Sequence, residues 1–253
     1  MQNYTFSSNF TTKIDVRQAK TATTHKITLL YIHGLFSDPW GRKPETCCQI
    51  AAEQNIDFIR FELIGHGSDS SNYEQADFPL WVSQIEELIT NFAQGDIILA
   101  GSSLGGWLAL LLAERHPDRV KGVIGLAAAP DFTMDLEQHI FTAEQKQQLS
   151  QTGRLEFTNN DFTYIFTQKM FDSAHHFRLL NRSIELSCPL YLLQGMKDAS
   201  LDWRKALQIA QSVSRDDVII KLLKNSNHRL GHDNDLLELR HALTDLISAI
   251  RAQ

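Results

Sequence analysis

Short apolar runs alternate with longer amphipathic segments along most of this chain. Several runs are nearly continuous in apolar residues, which is typical of strands with both faces covered by helices. We predict strands over Lys26–His33, Asp57–Leu63, Asp96–Ser102, Val120–Ala128, Pro189–Gly195 and Val218–Lys224. Helical periodicity predicts helices over Pro44–Gln54, Leu80–Phe92, Leu104–Arg115, Trp203–Val213 and Asp235–Ala252. This alternation indicates the α/β class, with a mostly parallel central sheet flanked by helices.

Two stretches depart from the alternation. Tyr4–Val16 alternates apolar and polar positions, which predicts one or two edge strands, as in a hairpin. Residues 131–187 show no clear strand, and we expect two or three helical segments there. This insertion holds seven of the fourteen phenylalanines, and a segment that leaves the carboxyl side of a strand is placed to cover a ligand crevice. Phe132, Phe162 and Phe166 are therefore candidate substrate contacts, although about half of such rings are expected only to pack the insertion.

Composition narrows the class of protein. The chain has 253 residues, 43% hydrophobic and 21% charged, which excludes a disordered or fibrous protein. Its net charge of −6 carries no basic excess, so no nucleic-acid partner is expected. No apolar run approaches the ~18 residues of a membrane span, and the first residues lack the features of a signal peptide. Three cysteines, two of them adjacent, do not make a disulfide framework. We expect a cytoplasmic protein that is a monomer or a homodimer.

The pentapeptide Gly101-Ser102-Ser103-Leu104-Gly105 lies at a predicted strand-to-helix junction. A Gly-x-Ser-x-Gly sequence in this setting forms a sharp turn that exposes the central serine. The flanking glycines are needed because a side chain at either position would collide with its neighbours. The turn also lies at a helix N-terminus, where free N–H groups favour a developing oxyanion. Ser103 is therefore the candidate nucleophile.

A serine nucleophile needs a base and an orienting carboxylate, expected here in the chain order Ser, acid, His. Asp198 follows the predicted strand Pro189–Gly195, which puts its carboxylate at the same sheet edge as Ser103. Asp131, which also follows a strand, and Asp202 are the alternative acids.

The candidate base is His228, in the short polar loop between the last predicted strand and the last helix. His232 lies in the same loop and is the alternative base. The other histidines lack this topological placement.

The segment Tyr31–Phe36 extends from the end of the predicted strand Lys26–His33 and contains a glycine. A loop there can aim the backbone N–H of Leu35 at a reacting carbonyl oxygen, and the N–H of Leu104 would be the second donor. We interpret His33 as bracing this loop. Phe36, beside the proposed donor, is a further candidate substrate contact.

Metal and nucleotide chemistry find no support in the sequence. His175 and His176 are adjacent and point in different directions on a helix, and zinc-type spacings of Cys and His are absent. No glycine-rich phosphate loop follows the first parallel strand. We expect no metal and no organic cofactor.

Taken together, the motifs resemble the α/β-hydrolase family over essentially the whole chain. The resemblance is carried by Gly101–Trp107, His175-His176, Cys188-Pro189, Gly195–Asp198 and Asn227–Arg229. It implies a single α/β-hydrolase domain whose eight-stranded, mostly parallel sheet is formed by residues 1–130 and 188–253. A helical cap, residues 131–187, would be inserted after the sixth strand. The family's triad would consist of Ser103, Asp198 and His228.

Within the family, the chain resembles a branch of esterases and protein depalmitoylases with mitochondrial and bacterial members. It departs from them in the loop His33-Gly34-Leu35-Phe36, where Pro-Gly precedes the donor residue in that branch, and in a divergent cap. We expect hydrolysis of a small ester or thioester with an apolar acyl group, an acylated protein being a further substrate. The alternatives are an enzyme of the same fold that cleaves a carbon–carbon bond or acts as a perhydrolase, and a non-catalytic binding protein.

Overall fold

Strands and helices alternate along the chain. The computed structural model describes residues 1–21, 25–159 and 162–252, without the side chains of Asn159 and Phe162. The strands are β1 (Gln2–Thr5), β2 (Thr11–Arg17), β3 (Ile27–Ile32), β4 (Asp57–Phe61), β5 (Asp96–Ser102), β6 (Val120–Leu126), β7 (Arg154–Asn159), β8 (Phe162–Thr167), β9 (Leu190–Gly195) and β10 (Val218–Leu223). The helices are α1 (Arg42–Glu53), α2 (Phe78–Asn91), α3 (Leu104–Arg115), α4 (Phe132–Asp135), α5 (Ala143–Thr152), α6 (Gln168–Ala174), α7 (Lys205–Ser212) and α8 (Asp233–Arg251). Gly67–Gln75 and His175–Phe177 are 3-10 helices, and Leu136–Ile140 is a π-helical turn that continues α4.

Within the described ranges, eight strands form the central sheet in the order β1-β2-β4-β3-β5-β6-β9-β10. β1 pairs antiparallel with β2, and β2 antiparallel with β4, whereas the pairs from β4 to β10 are parallel. The predicted mostly parallel α/β sheet is therefore confirmed, and the N-terminal stretch forms the predicted hairpin. The bounds of β5 and α3 coincide with the prediction.

The sheet is buried on both faces because β3 and its neighbours alternate side chains between two helical layers. Leu29 and Tyr31 belong to the same buried cluster as residues of α1 and α8, while Leu30 and Ile32 belong to the cluster that includes residues of α2, α3 and α7. This double burial explains why the sequence of β3 is a nearly continuous run of apolar residues, interrupted only by the buried Thr28.

The chain reverses direction across the sheet at β3. It passes from β3 to β4 on one side and then to β5 on the other. A crevice opens at the carboxyl ends of two parallel strands whose connections leave in opposite directions. The segment beginning at His33 and the serine turn at Ser103 leave β3 and β5 at this point.

The insertion follows β6, as expected, but its predicted all-helical content is wrong. β7 and β8 form an antiparallel hairpin in which Leu155 faces Phe166 and Phe157 faces Tyr164. The apolar residues Leu155 and Phe157 alternate with polar ones, which is the period of a half-buried strand. This alternation extends over a single strand, which is too short to predict a strand between two helical segments. The pairing of β7 with β8 shows that it is one.

Candidate active site

The backbone of Ser103 adopts a conformation that residues other than glycine rarely adopt, with φ +54° and ψ −116°. The two motif glycines make room for this turn. A Cβ at Gly101 would lie 2.1 Å from the carbonyl oxygen of Gly105, and one at Gly105 would lie 2.1 Å from that of Ile32. The predicted collision is therefore present at both positions, and the tight packing of β5 against α3 holds the strained serine in place.

The three side chains predicted from motif and chain order come together. His228 Nε2 lies 3.1 Å from Ser103 Oγ, and His228 Nδ1 lies 2.7 Å from Asp198 Oδ2. The Asp198 side chain is fully buried, while 28% of the His228 side chain is exposed. This arrangement can take a proton from the serine hydroxyl and stabilise the resulting imidazolium.

The Asp198 carboxylate is held by several donors besides His228. Oδ1 accepts from the backbone N–H groups of Ser200 and Leu201, both at 2.9 Å. Oδ2 also accepts from Gln194 Nε2 at 3.0 Å. Burial opposes ionisation of this carboxyl, but the His228 bond and charge and the two amides outweigh it and hold the pKa of Asp198 below its usual value.

Gln194 is a residue of the site that the sequence pattern did not indicate. It is a buried residue of β9, and its amide joins the strand to the candidate acid. A polar residue inside the apolar run Leu192–Gly195 is the signal that could have identified it, because a buried amide needs hydrogen-bond partners.

The loop after β3 passes close to the serine turn. A Cβ at Gly34 would lie 3.1 Å from that of Ser103. His33 is fully buried, its Nε2 accepts from the Leu63 N–H at 3.0 Å, and its Nδ1 donates to the Gly34 carbonyl at 2.8 Å. In a trans peptide the C=O of Gly34 and the N–H of Leu35 point in opposite directions, so this bond also orients the Leu35 N–H. Burial lowers the pKa of His33 to about 3, which makes it a neutral brace.

The Leu104 N–H is the first of helix α3. The first amides of a helix have no acceptor within it and carry the positive end of the helix dipole. Leu104 and Leu35 thus belong to two segments that approach each other at Ser103.

The alternative acids and base have other partners. Asp131 is buried, and its two oxygens accept from the backbone N–H groups of Leu179 and Leu180, both at 2.9 Å. Asp202 bonds within its own turn, and His232 lies near Asp235 in the first turn of α8.

Two of the candidate substrate contacts lie at the junction of body and insertion. The half-buried ring of Phe36 lies 4.8 Å from that of Tyr73 and 5.8 Å from that of Tyr164 in the β7–β8 hairpin. Phe132, half-buried after Asp131, lies 5.8 Å from the ring of Trp107. Phe36 directly follows Leu35, so its ring stands beside the loop that approaches Ser103.

The other two candidate substrate contacts are Phe166 and Phe162. Phe166 is 3% exposed and packs among Phe141, Phe157 and Phe171. Its position corresponds to packing of the insertion and does not support the expected contact with substrate. The side chain of Phe162 lies outside the described part of the chain.

Residues 1–21, 25–159 and 162–252 contain no group of three His, Cys, Asp or Glu side chains arranged to hold a metal ion. Among the same residues, no helix has the length and apolar character to cross a membrane.

The fold agrees with the sequence comparisons. The sequence model of the alpha/beta hydrolase family matches residues 29–239. The chain belongs to this family.

Its relatives include thioesterases. The chain is 31% identical over 225 residues to the mitochondrial palmitoyl-protein thioesterase ABHD10 of Rattus norvegicus, covering 88% of this chain and 75% of that protein. A structure described as a hydrolase from Agrobacterium vitis S4 superposes with a TM-score of 0.89 at 27% identity, covering 97% of this chain and 98% of the other. The mouse alpha/beta hydrolase domain-containing protein 10 gives 0.87 at 28% identity, covering 98% of both chains. The rat relative is mitochondrial by name, so the cytoplasmic location expected from the sequence stays a prediction.

Proposed function

We propose that this protein is a serine hydrolase that cleaves carboxylic ester or thioester bonds through a Ser103–His228–Asp198 triad. The observation that carries the proposal is the continuous hydrogen-bonded series from Asp198 through His228 to Ser103 Oγ, at 2.7 and 3.1 Å. Kinship with a thioesterase of similar fold supports the same bond types.

The reaction proceeds in two steps. His228 Nε2 takes the proton of Ser103 as Oγ attacks the carbonyl carbon, and Asp198 stabilises the imidazolium through Nδ1. The imidazolium then gives this proton to the leaving alcohol or thiol as the ester or thioester bond breaks. A water molecule, deprotonated by His228, then attacks the acyl-serine, and the imidazolium returns that proton to Ser103 Oγ as the carboxylic acid leaves.

The developing oxyanion is stabilised by the N–H groups of Leu35 and Leu104. Three features support this role: the close approach of Gly34 to Ser103, the orientation that His33 imposes on the Leu35 peptide, and the free amides at the start of α3. Each such donor contributes roughly 3 to 4 kcal/mol to transition-state stabilisation in comparable sites.

The substrate is an ester or thioester with an apolar acyl group. The rings of Phe36, Tyr73 and Tyr164 form an aromatic cluster, and Phe36 directly follows the proposed oxyanion donor Leu35. Because the rat relative is a palmitoyl-protein thioesterase by name, an S-acylated protein is a specific candidate.

The test is labelling with a fluorophosphonate probe, with Ser103→Ala as the matched control. We expect labelling and hydrolysis of p-nitrophenyl esters by the wild type and neither by Ser103→Ala. An S-palmitoyl peptide and its oxygen-ester counterpart then compare the two bond types. Labelling without turnover of either bond type would contradict the proposal and favour carbon–carbon bond or perhydrolase chemistry. A folded wild type that resists the probe would favour a binding protein.

A further inference from the structure

One lysine donates hydrogen bonds both to the segment that carries the candidate nucleophile and to the segment that carries the candidate base. Lys43 is the second residue of α1, and its Nζ lies 2.8 Å from Ser102 Oγ and 2.7 Å from the carbonyl oxygen of Arg229. Ser102 directly precedes Ser103, and Arg229 directly follows His228. A single ammonium group therefore links segments that are more than a hundred residues apart in the sequence.

The neighbouring Arg42 shows what is particular to Lys43. Arg42 Nη1 lies 2.5 Å from the Gly231 carbonyl, and Nη2 pairs with Asp233. Arg42 thus bonds the loop that carries His228, but only at its end, at Gly231 and Asp233. Its side chain is 61% exposed. Lys43 alone of these two cations also reaches the strand that ends in the serine turn.

The surroundings of Lys43 favour a fixed position for its ammonium. Burial lowers the pKa of Lys43 to about 8, while the nearby Cys47, Asp235 and Asp198 act in the opposite direction and Arg229 adds to the lowering. Near pH 7 the amine is therefore protonated and has three N–H donors, two of which are directed at Ser102 and Arg229. Hydrogen bonds from a charged donor in a partly buried place are stronger than those between neutral groups.

We propose that Lys43 is a positioning residue that sets the separation between Ser103 Oγ and His228 Nε2. Proton transfer depends on that separation, and a displacement of about 1 Å at a reacting group can cost roughly 100-fold in rate. Lys43 acts on the two segments from outside the reacting atoms, so its loss affects turnover and leaves substrate binding largely intact. This inference rests on the proposed hydrolase function.

The test compares the wild type with Lys43→Met, Ser102→Ala, the double variant and Arg42→Met. Active sites are titrated with fluorophosphonate, and kcat and KM are measured with p-nitrophenyl butyrate per titrated serine. We expect Lys43→Met to lower kcat about 10- to 100-fold with KM unchanged within about twofold. Arg42→Met should change kcat less than about threefold. The double variant should be no slower than Lys43→Met alone, because both substitutions remove the same bond.

The outcomes separate this proposal from the proposed function. A wild type that neither hydrolyses the ester nor reacts at Ser103 would overturn both. A wild type that does both, with an unchanged kcat in Lys43→Met or multiplicative losses in the double variant, would overturn only the role of Lys43. If Lys43→Met does not fold, Ser102→Ala decides, since the proposal requires a loss in kcat of at least about threefold at unchanged KM.

Discussion

Two aspartates follow neighbouring strands of the sheet and end in different surroundings. Asp131 follows β6, Asp198 follows β9, and these strands pair in parallel. Both carboxylates are enclosed and hydrogen-bonded. Asp198 accepts a hydrogen bond from His228 Nδ1, whereas Asp131 accepts hydrogen bonds from the backbone N–H groups of Leu179 and Leu180 at the end of the insertion.

The hydrogen-bond partner of a carboxylate, more than its position in the fold, decides its role. At Asp198 the local amides leave one oxygen directed at an imidazole, so the charge can stabilise a cation that forms during a reaction. At Asp131 both oxygens are occupied by backbone groups, so the same charge holds the insertion against the body. Asp131 also has φ +59°, a left-handed conformation that Asp and Asn tolerate better than most residues.

The largest difference is expected in turnover. Asp198→Asn should lower kcat roughly 10³- to 10⁴-fold, because an amide neither selects the imidazole tautomer nor stabilises the imidazolium. Asp131→Asn should lower kcat less than about threefold. Both variants are measured with a p-nitrophenyl ester per titrated serine. A larger loss in Asp131→Asn than in Asp198→Asn would reverse the assignment of the two acids.

The next effect is on stability. Asp131→Ala should lower the free energy of unfolding by about 3 kcal/mol, because the buried N–H of Leu179 and the partly buried N–H of Leu180 lose a charged acceptor. Urea denaturation measures this, with Asp118→Ala, at an exposed aspartate of the body, as the control expected to stay within about 0.5 kcal/mol of the wild type. Equal stability of wild type and Asp131→Ala would refute the structural role of this carboxylate.

The smallest effect concerns the two buried histidines, His33 and His66, which contrast with the partly exposed candidate base His228. Burial lowers the pKa of His33 to about 3 and that of His66 to about 4. As the pH falls below about 6.5, the unfolded chain takes up protons that the folded chain refuses, so each of the two lowers the free energy of unfolding by up to about 1.4 kcal/mol per pH unit.

Thermal unfolding between pH 7 and pH 4.5 tests this effect. His66→Phe should reduce the acid dependence of stability by one histidine's share, because the variant has no such proton to take up. His241→Asn, at an exposed histidine of α8, serves as the control and should retain the wild-type slope. An unchanged slope in His66→Phe would show that His66 is not held neutral by the fold.

Much of the site could be predicted because its information is local. The strand, turn and helix around Ser103 follow from periodicity and from two glycines whose space is taken up by nearby backbone. The chain order then indicated Asp198 and His228, and the structure places His228 beside Ser103 and Asp198 beside His228. Gln194 and Lys43 were not found, since a buried amide or ammonium reveals its partner only after the chain has folded.

The parallel α/β architecture and the position of the serine turn could be predicted from the sequence, because side-chain periodicity and backbone sterics act over a few residues. Which aspartate meets His228, how Lys43 joins two segments, and the pairing of β7 with β8 became apparent only in the folded chain. Ser103 and His228 are 125 residues apart, and Asp198 and His228 are 30 apart. Contacts over such separations depend on the packing of whole strands and helices, and no local pattern specifies them.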